Sequence, residues 1–234
     1  ANTQGAKGFL TRLKDLYPDL EAESEQKCRW AALPAPAAEA RAVLEGWITE
    51  GQAGLVPDTA FHSVPGIYGW NKVDRGSIAL ATTLPALEGD GADLGSGYGY
   101  LSAVLLGLSP ALSKLHVVEA DSRALACARD NLAAWSKRCV FHWLDVTATE
   151  TPSSIGGGSL DWVVMNPPFH EGTQVDQSVG KSFIETAAKL LKPDGKLFMV
   201  ANSFLGYEEL LMKRFRNVSR VLDQDGFKVI HAVR

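Results

Sequence analysis

The stretch Ala92-Asp93-Leu94-Gly95-Ser96-Gly97-Tyr98-Gly99 decides how this chain is read. Its first three residues form a short strand signal, and residues 98–108 have helical composition. The three glycines fall in the turn between them. There they let the backbone reverse tightly and come close to a ligand. A dinucleotide-binding turn needs Gly or Ala at the sixth position of G-x-G-x-x-G for close helix packing. The sixth position counted from Gly95 is Tyr100, which is too large. The D-x-G-x-G-x-G spacing suits a ligand that lays an amino-acid part on the loop and brings no pyrophosphate.

Outward from this turn, strand and helix signals alternate. Upstream, residues 77–87 read as a helix. Downstream, strands are expected at 115–119, 139–144, 160–165 and 196–201, with helices at 122–135, 178–191 and 207–215. This alternation predicts an α/β fold with a doubly wound, mostly parallel sheet. The last two strands, 218–222 and 227–233, are separated only by a tight Asp225-Gly226 turn, so they should pair antiparallel. Gly156-Gly157-Gly158 reads as a loop.

Two further acids stand where such a sheet would use them. Glu119 ends the second strand, and a carboxylate there can accept hydrogen bonds from both hydroxyls of a ribose. Asp145 follows the third strand, in reach of an adenine amino group. With Asp93, they outline a pocket for an adenosine carrying an amino-acid tail. The acidic lining suits a sulfonium cation. A single acid of this kind reads equally well as a cap. The ordered set of glycine turn and acids at strand ends is what points to a ligand.

Asn166-Pro167-Pro168-Phe169 follows the fourth strand. Two prolines in succession end the strand and stiffen the loop. The Asn166 side-chain oxygen and the Pro167 carbonyl can then accept the two N–H bonds of an exocyclic amine. That would aim the nitrogen lone pair at an electrophilic methyl group and stabilise the charge that develops on nitrogen. Phe169 is placed to stack on the target base. His170 is read as a substrate contact or a structural hydrogen bond. Asp74 and Ser77 are read as closing over the ligand or as a helix cap.

This set of motifs resembles the class I S-adenosylmethionine-dependent methyltransferases of the amino-methylating branch. The wider text, from Gly66-Ile67-Tyr68-Gly69-Trp70-Asn71-Lys72-Val73-Asp74-Arg75-Gly76-Ser77 through Leu84-Pro85 and Val164 to His170, then Phe227-Lys228-Val229, looks like the RsmC type. That family methylates the N2 amine of a guanine in 16S, small-subunit ribosomal RNA. The resemblance runs roughly from Phe61 to the C-terminus. It implies S-adenosyl-L-methionine as cofactor and ribosomal RNA, free or in the assembled small subunit, as partner. It also implies a cytoplasmic location. It assigns Asn166 to Phe169 to catalysis, and Asp93, Gly95, Gly97, Gly99, Glu119, Ala120, Asp145, Val146 and Asn166 to the cofactor. Phe169 and His170 fall to the substrate. Large-subunit guanine, adenine N6 and protein glutamine stay open as acceptors. So does a non-catalytic RNA-binding half of a larger protein. A nicotinamide oxidoreductase is disfavoured by Tyr100.

Composition bounds these readings. The chain has 234 residues, 46% hydrophobic and 21% charged, which is the balance of a folded domain. No apolar run approaches the roughly 18 residues of a membrane span, and residues 1–20 lack the apolar core of a secretory signal. The net charge of -4 excludes a basic coat for nucleic acid but not a local basic patch. Lys213, Arg214, Arg216 and Arg220 are the candidates for phosphate contact, with a solvated face as the alternative. Cys28, Cys127 and Cys139 form no C-x-x-C pair, and the histidines lack ligand spacing, so no disulfide framework or metal site is expected. No cysteine lies in the motif loop, as carbon methylation of a pyrimidine would require.

Residues 1–50 differ in character and are read as an extension, or the tail of a preceding domain, ahead of a methyltransferase domain over 51–234. Helical spacing of Phe9, Leu10, Leu13 and Leu16, a strand at 26–32 and a helix at 36–48 are expected there. Members of the resembling family commonly carry two methyltransferase-like halves, and this chain has room for one. With no initiator Met, the segment from Asn2 to Leu16 is expected to be the tail of a first half.

Overall fold

A computed structural model describes all residues except 1–4, 26–27, 149–153, 169, 172–173 and 176. The chain divides into two compact units, Ala1–Gln52 and Ala53–Arg234. In the first, helices α1 (Gly5–Leu16) and α2 (Ala38–Glu50) accompany a small hairpin of Glu23–Glu25 with Cys28–Trp30. Phe9 meets Trp47 at 5.9 Å between ring centroids, and the Arg12 guanidinium lies 4.3 Å over the same indole. That contact is a cation–π pair on an aromatic cluster.

The second unit is built on seven strands: β1 (Gly89–Leu94), β2 (Leu112–Glu119), β3 (Cys139–Trp143), β4 (Leu160–Met165), β5 (Leu191–Asn202), β6 (Arg216–Gln224) and β7 (Phe227–Val233). Their order in the sheet is β6-β7-β5-β4-β1-β2-β3. Pairs from β3 through β5 are parallel, and β7 runs antiparallel to both β5 and β6. The expected mostly parallel sheet with an antiparallel end is the sheet observed. Asp225 and Gly226 both take positive φ, 54° and 82°, which is the tight turn that matches strand twist.

Helices cover both faces. α3 (Arg75–Ala81), α4 (Tyr100–Leu108) and α5 (Ser122–Asn131) pack Leu80, Leu105 and Leu125 on one side, against Trp162, Val164 and Phe198. α6 (Gln177–Leu190) and α7 (Glu208–Arg214) pack Ile184 and Leu211 on the other, against Leu94, Val163 and Met165. Neighbouring β4 residues thus serve opposite faces, as a pleated strand buried on both sides requires.

Element bounds moved where local chemistry overrides pattern. α3 is one helix turn shorter than its apolar spacing suggests. The Thr82 and Thr83 hydroxyls fold back onto the carbonyls of Ala79 and Leu80, and Pro85 disfavours helix before it. β1 is longer than 92–94 because Gly89 to Gly91, poor strand formers in isolation, are paired to β2, and Gly91 to β4 as well. Among the described residues, no helix is long and apolar enough to cross a membrane.

The chain runs from β1 outward to β3, then crosses back to β4 on the other side of β1. This reversal opens a crevice at the carboxyl ends of β1 and β4, where open α/β sheets hold ligands. Leu94 and Met165 are register partners, so the glycine turn and the Asn166 loop leave the sheet side by side.

Candidate functional site

The turn after β1 is a backbone cradle. Gly95, Gly97 and Gly99 have φ of 73°, 55° and 91°, a region that side chains rarely adopt. The N–H groups of Gly95 and Ser96 both donate to the Val118 carbonyl, at 2.9 and 3.0 Å, which ties the turn to the end of β2. A Cβ on Gly97 would meet nothing within 4 Å, so the outer side of the turn is open.

Glu119 holds the same turn from the side. Its Oε2 accepts the Gly97 N–H at 2.8 Å, and its Oε1 accepts the Ala120 and Asp121 N–H groups at 2.8 and 2.9 Å. A carboxylate offers about four acceptor directions, so one direction at Oε2 remains beyond these three bonds. Ala120 is exposed, and its carbonyl accepts the Trp143 indole N–H at 2.8 Å. Asp145 is exposed after β3. Its Oδ1 takes the Thr147 N–H and hydroxyl at 2.8 and 2.7 Å. Val146 is buried, with its carbonyl bonded to the Thr186 hydroxyl at 3.0 Å.

Asp93 lies deeper than a ligand contact would need. The pleat turns its side chain under α4, where it is fully buried. Ser102 donates to Oδ2 at 2.7 Å, and Oδ1 has no partner among the described residues. Burial raises its pKa to about 7, the Ser102 bond opposes that, and the charge of Glu119 adds to it. From this position Asp93 shapes the turn from beneath; its carboxylate does not line the cleft.

On the other side of the crevice, Asn166 is held in one orientation. Its Nδ2 donates to Asp74 Oδ2 at 2.8 Å and to Ser77 Oγ at 2.9 Å. Both amide hydrogens are engaged, which leaves Oδ1 as an acceptor facing away from that pair. Asp74 also caps α3, taking the Ser77 N–H on Oδ2 at 2.8 Å, and takes the Tyr68 hydroxyl on Oδ1 at 2.6 Å. Partial enclosure, with the hydrogen bond and charge of Asp74, pushes the phenol of the largely exposed Tyr68 upward. Tyr68, Asp74, Ser77, Gly95, Gly97 and Asn166 line a single cleft. Pro167 is buried and Pro168 exposed beside it. Phe169 lies outside the described residues. His170 is described only through its backbone, which pairs with Val175 in a short hairpin.

Tyr68 is a cleft residue that the sequence reading passed over. Its only local signal is the pair of glycines around it, Gly66 and Gly69, both at positive φ, which bend the loop back to the cleft. The basic cluster near the C-terminus makes internal ion pairs instead of a free cationic strip. Lys213 pairs with Glu209, Arg214 with Glu185, Arg216 with Asp194, and Arg220 with Glu208 and Asp223. Among the described residues, no group of His, Cys, Asp and Glu could hold a metal ion.

The strand order, the glycine turn tied to an acid at the end of β2, and an Asn-Pro-Pro loop across the crevice together define a Rossmann-like methyltransferase domain. The chain belongs to the methyltransferase small domain family, which it matches over residues 58–231. It is 34% identical over 177 residues to the ribosomal RNA small subunit methyltransferase C of Acinetobacter baylyi, an overlap of 73% of this chain and 50% of that protein. The protein of the same name from Cronobacter sakazakii is 36% identical over 191 residues, 81% of this chain and 53% of its own length. The chain spans about half to two thirds of the length of the curated relatives it matches. Among solved structures, the T. thermophilus 16S rRNA N2 methyltransferase RsmC, in complex with AdoMet and guanosine, superposes with a TM-score of 0.71 at 24% identity. That match covers 99% of this chain and 62% of RsmC.

Proposed function

We propose that this chain transfers a methyl group from S-adenosyl-L-methionine to the exocyclic N2 amine of a guanine in small-subunit ribosomal RNA. The observation that carries the reading is the Asn166 amide, fixed with its oxygen available, in the same cleft as the glycine turn. The names of the relatives favour small-subunit ribosomal RNA as substrate, and the guanosine bound in the superposed structure favours guanine over the other amines this loop could serve.

The donor set of the cleft fits the cofactor. The backbone of Gly95 to Gly97 is open toward the crevice and can take an amino-acid moiety. Glu119 has one unused acceptor direction for a ribose hydroxyl, and Asp145 stands exposed where an adenine amine would lie. The carboxylate of Asp74 in the cleft lining suits a cation. When bound, S-adenosylmethionine supplies an electrophilic methyl group on a sulfonium.

The protein's own work is to aim the acceptor. Asn166 Oδ1 and the Pro167 carbonyl take the two N–H bonds of the guanine amine, whose lone pair would otherwise stay conjugated with the ring. Those bonds strengthen as positive charge develops on nitrogen, so they act on the transition state more than on the ground state. No strong base is needed, because the nitrogen becomes acidic as the new bond forms. The guanine must be unpaired or flipped out of its stack to reach the cleft. Phe169, and the exposed ring of Tyr68 at the rim, are suited to stack on it. Such a role belongs in the cytoplasm, where ribosomal RNA is processed, on free RNA or on the small subunit.

The test is incubation with methyl-labelled cofactor and unmethylated small-subunit RNA or subunits, followed by digestion to nucleosides. Label in N2-methylguanosine is expected. Label only in another nucleoside, or in protein, would reject the guanine reading.

A further inference from the structure

We propose that Asp74 is a positioning residue, which sets the acceptor face of the Asn166 amide toward the target amine. This inference rests on the function proposed above and deepens it. An asparagine amide has two orientations, related by a half-turn about its last side-chain bond, and they are nearly equal in shape. In one, an oxygen faces the substrate amine and accepts its N–H. In the other, an NH2 group faces an NH2 group, and the site loses one of its two acceptors.

The neighbours of Asn166 differ in how well they choose between the two. Ser77 Oγ, 2.9 Å away, can either donate or accept and is indifferent. Asp74 Oδ2, 2.8 Å away, belongs to a carboxylate, whose oxygens serve here as acceptors. It rewards the Asn166 N–H and repels the Asn166 oxygen. Asp74 itself is fixed by two other donors, the Ser77 N–H and the Tyr68 hydroxyl. Its position therefore does not depend on Asn166, and the orientation is set before substrate arrives. The separation of 92 residues between the two hides this link from any local reading of sequence.

A capping role alone would also explain Asp74, so the variants must separate the two. Asp74→Ser keeps a good N-cap, because a serine hydroxyl also accepts the N–H at this position, but it is too short to reach Asn166. Asp74→Asn keeps the reach and can still present an oxygen. In single-turnover transfer with saturating cofactor, Asp74→Ser should be slower by about 100-fold, the scale of a misplaced reacting group. Cofactor affinity should hold, and Asp74→Asn should regain part of the rate. In an Asn166→Ala background the Asp74→Ser change should cost nothing further. A full rate in Asp74→Ser would overturn the inference, as would an equal loss in the Asn166→Ala background.

A second readout does not need activity. In protein labelled with 15N-asparagine, the Asn166 side-chain protons should exchange slowly in wild type and fast in Asp74→Ser. Exchange at the free-amide rate in wild type would overturn the inference even in an active enzyme. Wild-type protein that transfers no methyl group to RNA would instead overturn the function reading. The exchange data would then still decide whether Asp74 sets the amide.

Discussion

Gly97 and Glu119 lie 22 residues apart and are joined by a 2.8 Å hydrogen bond from the Gly97 N–H to Oε2 of the carboxylate. The acid that ends β2 is thus part of the glycine turn. Removing it should do two things at once. Glu119→Ala strands three backbone N–H groups and removes the acceptor proposed for the cofactor ribose. A hydrogen bond to a charged group contributes about 1.5–3 kcal/mol, so affinity for S-adenosylmethionine and for its demethylated product should fall roughly 10- to 100-fold together. Calorimetric titration of both ligands checks this, and a thermal melt should show a lower midpoint. Unchanged affinities would mean that the ribose is held elsewhere.

Asn166→Ala should leave cofactor affinity intact and lower methyl transfer by about 100-fold or more, the usual effect of removing one group that stabilises developing charge. Asn166→Asp makes a sharper case. It places a second carboxylate against Asp74, whose oxygen now receives the amide at 2.8 Å. Two like charges so close raise the pKa of the pair, and one takes up a proton. The protonated acid can donate to Asp74 and still offer a carbonyl oxygen. Transfer by Asn166→Asp should therefore rise as pH falls, while Asn166→Ala shows no such recovery. A pH–rate profile of both variants distinguishes them.

Much of this architecture was legible in the residues, and what was not has physical reasons. The glycine turn, the Asn-Pro-Pro loop and the last hairpin are local. Each is dictated by neighbours a few residues away, so their types and places could be read directly. Helix α3 was read too long because apolar spacing continues past Ala81, while the threonine back-bonds that end it depend on the folded turn. Asp93 was read as a ligand contact because a D-x-G-x-G-x-G run does not say to which face the acid points. The pleat of β1 and Ser102 on α4 settle that. Whether the arginines near the C-terminus are free or paired depends on Glu185 and Asp194, distant in sequence, and pairing won.

The buried carboxylate of Asp93 should leave a mark on stability. Its pKa is about 7 in the folded chain, against about 3.9 for an unperturbed aspartate. The folded state therefore holds this proton more tightly than the unfolded state. Its contribution is fully present below about pH 4 and is lost as pH rises toward 7. Asp93→Asn carries no titrating proton, so its stability should not show that decline. Urea unfolding of both proteins between pH 4 and 8 gives the comparison, taken as the difference so that other groups cancel. Parallel curves would mean that Asp93 does not titrate in this window.

Gly91 is a position that leaves no room for a side chain. It sits in β1 opposite Trp162 of β4, its register partner, and a Cβ built on it would lie 2.2 Å from the indole ring carbons. The indole cannot swing away cheaply. It is 2% exposed, and its N–H is bonded to the Glu88 carbonyl at 3.0 Å. Gly91→Ala must therefore push β1 and β4 apart or drive the tryptophan off its rotamer. Overpacking of this kind costs about 1–3 kcal/mol, and the same two strands carry the glycine turn and Asn166. The variant should lose stability in urea and cofactor affinity together. Trp162→Leu in the same chain removes the clashing ring and should recover a part of both, although it leaves a cavity of its own. If Gly91→Ala unfolds at the wild-type midpoint, the indole has more room than this packing allows. A loss of stability that Trp162→Leu fails to relieve would trace the damage to the backbone of β1 instead.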